Sequence, residues 1–332
     1  MRDVAALAGV GIKTVSRVVN GEPGVSAAMA ERVTRAAAEL SFRPDFTAGS
    51  LRRSSRRSLS IGLVLASVDN PFCAAIHRAV EDVAAERGVA VLSASTDERL
   101  DRELSLVAEF TSRRVDGLIM SPTGVDQAYL RPELDSGTPI VMVDRPPIAI
   151  DVDSVVVDNA AGAENATAHL LAHGHRRIAY LGDLSSIATA RQRHDGFARA
   201  MRRAGVPVDE RIVIDDLHDV GPAFAAVQRV LAGPGAPTAL FTSQNLVTIG
   251  AIRALRELGL QHRVAIVGFD DVALADMMDP GVTVVAQDPI AIGRTAAERV
   301  FLRLENGALP TQRITLPTRL IVRGSGEIRP PA

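Results

Sequence analysis

Before residue 60 the apolar positions recur at helical spacing, and no strand pattern interrupts them. A first helix is predicted over Asp3 to Gly9, with Val4, Leu7 and Ala8 on one face. After a Gly9-Val10-Gly11 turn, Val15, Val18 and Val19 face inward from a second helix over Ile12 to Val19. Asn20-Gly21-Glu22-Pro23-Gly24 breaks the pattern; Ser26 then caps a third helix ending near Leu40, with Met29, Val33, Ala37 and Leu40 inside. Two short helices joined by a tight glycine turn and backed by a third make a helix-turn-helix module. From residue 59 the pattern changes to apolar strands separated by amphipathic helices. Strands are expected near 59–66, 89–96, 116–121, 139–143, 154–158, 177–182, 210–215, 239–243, 264–269, 282–287 and 314–322. Such alternation implies parallel sheets covered on both faces, and the number of strands calls for two doubly wound lobes. Ligands on this architecture bind beyond the carboxyl ends of the strands.

Composition narrows the class. The chain has 332 residues, 47% hydrophobic and 23% charged, which are globular values. Its longest apolar runs are strand-sized, whereas a membrane helix needs about 20 residues. The N-terminus carries no secretory pattern and Cys73 is the single cysteine, so a reducing, cytoplasmic location is expected, without disulfide or thiolate metal site. The formal net charge of −2 conceals an asymmetry: residues 1–60 carry +5 and the remainder −7. A small basic module ahead of an acidic body points to a polyanionic partner for the module alone.

The segment Ala8-Gly9-Val10-Gly11-Ile12-Lys13-Thr14-Val15-Ser16-Arg17-Val18-Val19-Asn20-Gly21 carries the chemistry of that module. Ile12, Lys13, Ser16 and Arg17 occupy the outer face of the second helix, where Lys and Arg can donate to guanine O6 and N7 in the major groove. Thr14, Ser16 and Asn20 suit phosphates. Although Gly9-Val10-Gly11-Ile12-Lys13-Thr14 has a P-loop flavour, that motif needs adjacent Gly-Lys and a preceding strand.

This stretch resembles the DNA-binding headpiece of the lactose and galactose repressor family, and the resemblance extends over essentially the whole chain. Collinear matches include Val25-Ser26, Phe42-Arg43-Pro44, Ala48 to Leu51, Asp69-Asn70-Pro71-Phe72, Val115-Asp116-Gly117, Val143-Asp144-Arg145-Pro146, Val157-Asp158-Asn159, Gly174 to Ala179, Gly268 to Asp271 and Arg323-Gly324-Ser325. The resemblance implies a headpiece over 1–44, a hinge over 45–58 and a core over 59–332 similar to periplasmic sugar-binding proteins. It implies a homodimer that binds a palindromic double-stranded operator and responds to a small sugar-like effector. The family's hinge folds as a helix on DNA, with the leucine matched by Leu51 wedged into the minor groove. Gly49 stands where arginine is usual, which weakens that helix. The family's first helix opens Thr-Ile-x-Asp-Val-Ala; only Asp3-Val4-Ala5 matches here, so an upstream native start is expected. The C-terminus has no leucine heptad, which favours a dimer over a coiled-coil tetramer.

In the body, polar residues gather at strand ends: Asp69, Asn70 and Phe72 after the first strand, Asp144 and Arg145 after the fourth, Asp183 and Arg191 after the sixth. Asn245 follows the eighth, and Asp270 with Asp271 ends the ninth. An arginine with carboxylates and amides around an aromatic suits a polyhydroxylated ligand. The resemblance implies effector contacts from Arg191, Asn245 and Asp270, with His218 at a position commonly aromatic. Asn245 replaces a usual aspartate and Cys73 a usual phenylalanine; the first exchange removes a negative charge and makes an anionic ligand more plausible, while neutral hexoses remain the larger class. Gly11 replaces the usual capping serine of the second helix, a minor loss. His169, His173 and His175 have metal-like spacing without a fourth ligand, and no metal or cofactor is expected. An enzyme of doubly wound fold would need a Gly-x-Gly-x-x-Gly turn after the first strand; Ser67-Val68-Asp69-Asn70-Pro71-Phe72 has none.

Overall fold

The computed structural model describes residues 1–19, 22–42, 58–124 and 126–331, in two compact units, 1–59 and 60–332. The expected hinge lies outside the described residues except for Ser58, as do Asn20 and Leu51.

The first unit has three helices, α1 (Arg2–Ala8), α2 (Ile12–Val19) and α3 (Ala27–Glu39). Gly9 ends α1 in the left-handed region, φ 61°, which suits a residue without Cβ. The Arg32 guanidinium on α3 donates to the Ala8 and Gly9 carbonyls, at 2.5 and 3.4 Å, satisfying the carbonyl end of α1. Ser26 caps α3 by accepting the Met29 amide. Val4, Ala5, Ala8, Val15, Val33 and Ala36 form the core. Leu7, Met29 and Leu40, expected inside, are exposed, and Val18, Val19 and Ala37 are partly buried at the rim. Close helix packing admits alanines at the centre and turns the longer side chains outward.

The second unit contains two six-stranded sheets. Lobe 1 carries β1 (Ser60–Leu65), β2 (Ala90–Ser95), β3 (Leu118–Met120), β4 (Ile140–Val143), β5 (Asp153–Val157) and β11 (Arg313–Leu316), in the order β11-β5-β4-β3-β1-β2. Lobe 2 carries β6 (Ile178–Leu181), β7 (Val213–Ile214), β8 (Ala239–Thr242), β9 (Ala265–Phe269), β10 (Thr283–Ala286) and β12 (Arg319–Ile321), in the order β12-β10-β9-β8-β6-β7. Helices α4 (Pro71–Ala85), α5 (Leu100–Ser112), the short α6 (Arg131–Asp135) and α11 (Pro289–Glu305) belong to lobe 1. Helices α7 (Asn159–Ala172), α8 (Ala188–Arg203), α9 (Val220–Ala232) and α10 (Asn245–Glu257) belong to lobe 2. β3, β4, β8 and β9 are wholly buried, as continuous apolar runs in a doubly covered parallel sheet should be. Helices pair closely over the sheets: a Cβ at Gly196 of α8 would fall on the Ala160 carbonyl of α7, and one at Gly293 of α11 on the Ile76 carbonyl of α4.

One sequence expectation is corrected. The run 314–322 is two strands, β11 parallel to β5 in lobe 1 and β12 antiparallel to β10 in lobe 2. Pro317 cannot donate to a ladder, so the chain leaves one sheet there and enters the other. The chain passes between lobes three times, at 157–159, 286–289 and 316–319. The Asp158 carboxylate accepts the Thr318 amide at 2.8 Å and ties the first crossing to the third.

Candidate ligand cleft and nucleic-acid interface

The carboxyl ends of both sheets open on a shared cleft of about 570 Å³, counted to its mouth. The two lobes supply it in matching ways. Asp144 follows β4 and Asp270 follows β9; each amide donates to the neighbouring strand, to Val155 and Val285, at 2.9 Å. Both adopt left-handed backbone, φ 66° and 69°, a strain aspartate tolerates better than most residues and which turns its carboxylate into the crevice.

Each lobe contributes one buried arginine. Arg145 makes a two-pronged pair with Glu98, at 2.7 and 2.6 Å, and donates to the Pro122 carbonyl at 2.7 Å. Arg193 on α8 donates to Asn159 Oδ1 at 2.8 Å and to the Ser243 carbonyl at 2.7 Å, and lies 3.7 Å from Asp270. Its guanidinium carbon stands 3.9 Å from the centre of the Phe269 ring. Burial pushes the Asp144 carboxyl up, opposed by Arg145 and Arg193 and reinforced by Asp270 and Glu98. Burial likewise raises Asp270, against Arg193 and the Gln287 amide.

Of the residues anticipated from sequence, Asn70, Phe72, Arg145, His218, Asn245 and Asp270 line the cleft, with Asp144 and Asp183. Two do not. Asp69 is exposed beside the mouth, and the neighbouring Asn70 instead caps α4 by accepting the Phe72 amide at 3.0 Å. Arg191 is exposed and donates outward to the Ser185 and Ser186 carbonyls, at 2.9 and 2.6 Å. Two residues along a helix is a rotation of about 200°, so Arg193 faces in where Arg191 faces out. The signal was present: Arg193 falls in register with the buried Ala190, Gly196, Phe197 and Ala200. Sequence reasoning also missed Glu98, Gln244 and Gln287, which lie on loops or cap positions where no periodicity marks them. Asp271 pairs with Arg323 away from the cleft, 2.7 Å on both prongs. Burial pushes the Cys73 thiol, at the cleft wall, up to about 11.

Gln287 Nε2 donates to Asp270 Oδ1 at 2.5 Å, and because a carboxylate only accepts here, the amide orientation is settled. The other end, Gln287 Oε1, is buried without a hydrogen-bond partner, as is Arg145 Nε. Such groups cost free energy unless a ligand or water meets them.

His218 pairs with Asp183 at 2.7 Å, and this hydrogen bond raises the imidazole pKa, with Glu98 and Asp219 adding to it and burial opposing. The stabilisation is fully present below the unfolded histidine value of about 6.5 and is lost as pH rises through the higher folded value. His218→Gln is therefore expected to reduce stability at pH 6 and to matter progressively less above neutrality. Urea midpoints of both proteins across this range check it; a pH-independent difference would remove the titration from the account.

The three histidines are structural. His169 pairs with Glu327, His173 with the His169 carbonyl, and buried His175 lies between Thr238 Oγ1 and the Ile328 carbonyl, which pins the C-terminal segment. No cluster of three metal-ligating side chains occurs among the described residues.

In the first unit Ile12, Lys13 and Arg17 are exposed on α2, while Thr14 and Ser16 are half-buried. Arg17 lies 3.9 Å from Glu22 with both side chains about half exposed, so the pair leaves the guanidinium accessible.

A helix-turn-helix module in one chain with a two-lobed, cleft-bearing α/β core defines a ligand-responsive transcription regulator. The profile of bacterial regulatory proteins of the lacI family matches residues 1–45, and that of the periplasmic binding protein-like domain matches residues 167–326. The ribose operon repressor of Escherichia coli is 32% identical over 331 residues, covering 98% of this chain and 99% of the relative. The crystal structure of the Lac repressor dimer bound to operator and the anti-inducer ONPF superposes with a TM-score of 0.84 at 28% identity, covering 98% of each chain. A lacI-family regulator from Enterococcus faecium with bound ribose gives 0.72 at 25% identity over 80% of this chain and 98% of that one. The chain belongs to the lacI family of bacterial regulatory proteins, and is a transcription regulator rather than an enzyme. Among the described residues no helix is long and apolar enough to cross a membrane.

Proposed function

We propose that the protein is a dimeric repressor of a carbohydrate-related operon, acting in the cytoplasm, whose headpiece binds a palindromic operator and whose cleft takes a neutral monosaccharide of the ribose class. The observation that carries the ligand is the buried, partnerless Gln287 Oε1, held in orientation by Asp270, which asks for a hydroxyl donor. Asp144 and Asp270 offer further acceptors, and Arg145 and Arg193 offer donors. Charge supports a neutral ligand over an anionic one. Four carboxyl groups, Glu98, Asp144, Asp183 and Asp270, line the cleft against two guanidiniums and the His218 imidazole, all three already engaged by the protein. The loss of charge at Asn245 is thus outweighed by Glu98, which the sequence did not place in the cleft. The ribose operon repressor and the ribose-bound relative favour the same class.

Thermal unfolding of the full chain with D-ribose, other neutral monosaccharides, ribose 5-phosphate and uronates tests the ligand. A neutral sugar at 100 times its dissociation constant is expected to add about 2.7 kcal/mol, with the anions inert; stabilisation by the anions alone would overturn it. On DNA, Arg17→Ala is expected to cost about 1–3 kcal/mol on a selected palindromic duplex and much less on random duplex. Equal losses on both would make Arg17 a phosphate contact.

A further inference from the structure

In the cleft the two lobes meet through a pair of side chains, Asn70 at the start of α4 and Asn245 at the start of α10, 175 residues apart in sequence. Asn70 caps its own helix, its Oδ1 accepting the Phe72 amide at 3.0 Å, while Asn245 is the first residue of α10 and its Oδ1 shares the Leu246 amide, at 2.8 Å, with the N-cap Gln244, at 2.7 Å. Since only the oxygen of an amide can accept, these bonds dictate which end is nitrogen in both residues. The free nitrogens then face the opposite lobe. Asn245 Nδ2 donates to Asn70 Oδ1 at 2.8 Å, and Asn70 Nδ2 donates to Asn245 Oδ1 at 3.3 Å. Asn245 is 2% exposed, so its bonds are sheltered from competing water. The result is a reciprocal amide pair between two helix N-termini whose positive ends would otherwise meet across the crevice.

We infer that this pair is a clasp that holds the lobes closed before any effector binds, so that Asn70 and Asn245 position the cleft and effector entry requires them to part. The requirement on residue type is strict. Both members must donate and accept at once, which an amide does and a carboxylate does not. Aspartate at 245 would leave the Gln244 cap on Leu246 and the bond from Asn70 Nδ2 in place, but would set two acceptor oxygens against each other where the 2.8 Å bond now runs. Aspartate at 70 would do the same to the longer bond. Aspartate at both would leave no donor and two like charges. Capping survives each exchange, because Asp caps as well as Asn at 70 and α10 is capped by Gln244, so helix stability and lobe closure are separable.

The inference rests on the contact between lobes and not on the effector's identity, so it stands or falls apart from the sugar reading. Single-pair fluorescence transfer between dyes on Ser112→Cys in lobe 1 and Arg202→Cys in lobe 2 measures closure without ligand. Both positions are exposed, whereas Cys73 is buried and its thiol stays protonated at neutral pH. Labelled chains are diluted into unlabelled ones so that an assembly carries one dye pair. Wild type is expected to show one closed population. Asn245→Asp and Asn70→Asp should each raise the ratio of open to closed molecules about tenfold, the effect of losing a buried hydrogen bond, and the double variant further. Asn70→Ser, which retains the cap but is too short to reach Asn245, should open the cleft without adding charge. Cooperative thermal unfolding of each variant establishes that it is folded. Distance distributions in Asn70→Ser and Asn245→Asp that match wild type would overturn the clasp, as would a ligand-free wild type that is already open.

Discussion

Glu98→Leu is expected to cost the 60–332 unit about 3 kcal/mol, near the lower end of what removing one partner of a buried ion pair costs. Glu98 and Arg145 are 8% and 6% exposed in their side chains, so the guanidinium left behind would stay out of water. It would retain only the Pro122 carbonyl and the Asp144 carboxylate, 3.5 Å from Nε. That residual pairing places the estimate at the lower end. The double variant Glu98→Leu, Arg145→Met removes both charges and should recover much of the loss, since a buried pair and a well-packed apolar replacement are often close in stability. Urea unfolding of the three proteins decides it. An unchanged midpoint for the single variant would mean that water reaches the pair, and a double variant no better than the single would mean that side-chain shape matters more there than charge.

Arg193→Met is expected to weaken binding of the stabilising sugar by roughly 10–150-fold, the loss of a charge-assisted hydrogen bond worth about 1.5–3 kcal/mol. Arg193 also shields the buried Asp270 carboxylate, which without it would be pushed further up and become a poorer acceptor for a hydroxyl. Arg191→Ala is the matched control and should leave affinity within about twofold, as Arg191 meets only the Ser185 and Ser186 carbonyls outside the cleft. Calorimetry on the two variants separates the two assignments. Loss of affinity in Arg191→Ala with none in Arg193→Met would return the contact to the residue first expected from sequence.

Much of the site was legible because strand ends in a doubly wound lobe converge on one side, so the polar residue after an apolar run is a cleft candidate whatever its partners. Asn70, Arg145, Asn245 and Asp270 were reached this way and do line the crevice. The placement departs from that expectation where facing depends on a rotation that a strand-end argument does not register. Arg191 and Asp69 lie outside the crevice, each next to or nearly next to a residue that lines it, and in both cases helix phase or capping geometry sets the difference. Glu98 and Gln287 were invisible for another reason: one sits on the loop after β2 and the other on an interlobe crossing, where neighbours in sequence say nothing about neighbours in space.

The residues by themselves determined the class of most elements, since periodicities near 3.6 and long apolar runs report local conformation and burial without reference to partners; the strand expected over 210–215 is a 3-10 turn over 210–212 and a two-residue strand. They likewise determined the basic front end, the turn at Gly9, the outward Lys13 and Arg17 on α2 and the two-lobed α/β body. Only the tertiary structure decided that 314–322 divides between two sheets, because Pro317 interrupts a run whose halves are equally strand-like and whose partners, β5 and β10, lie far away in the chain. Only it decided which arginine enters the cleft, which carboxylates already hold a cation, and that Asn70 and Asn245 spend their amides on each other. Those outcomes depend on distances between segments from 34 to 175 residues apart, which the tertiary packing sets and which no local pattern encodes.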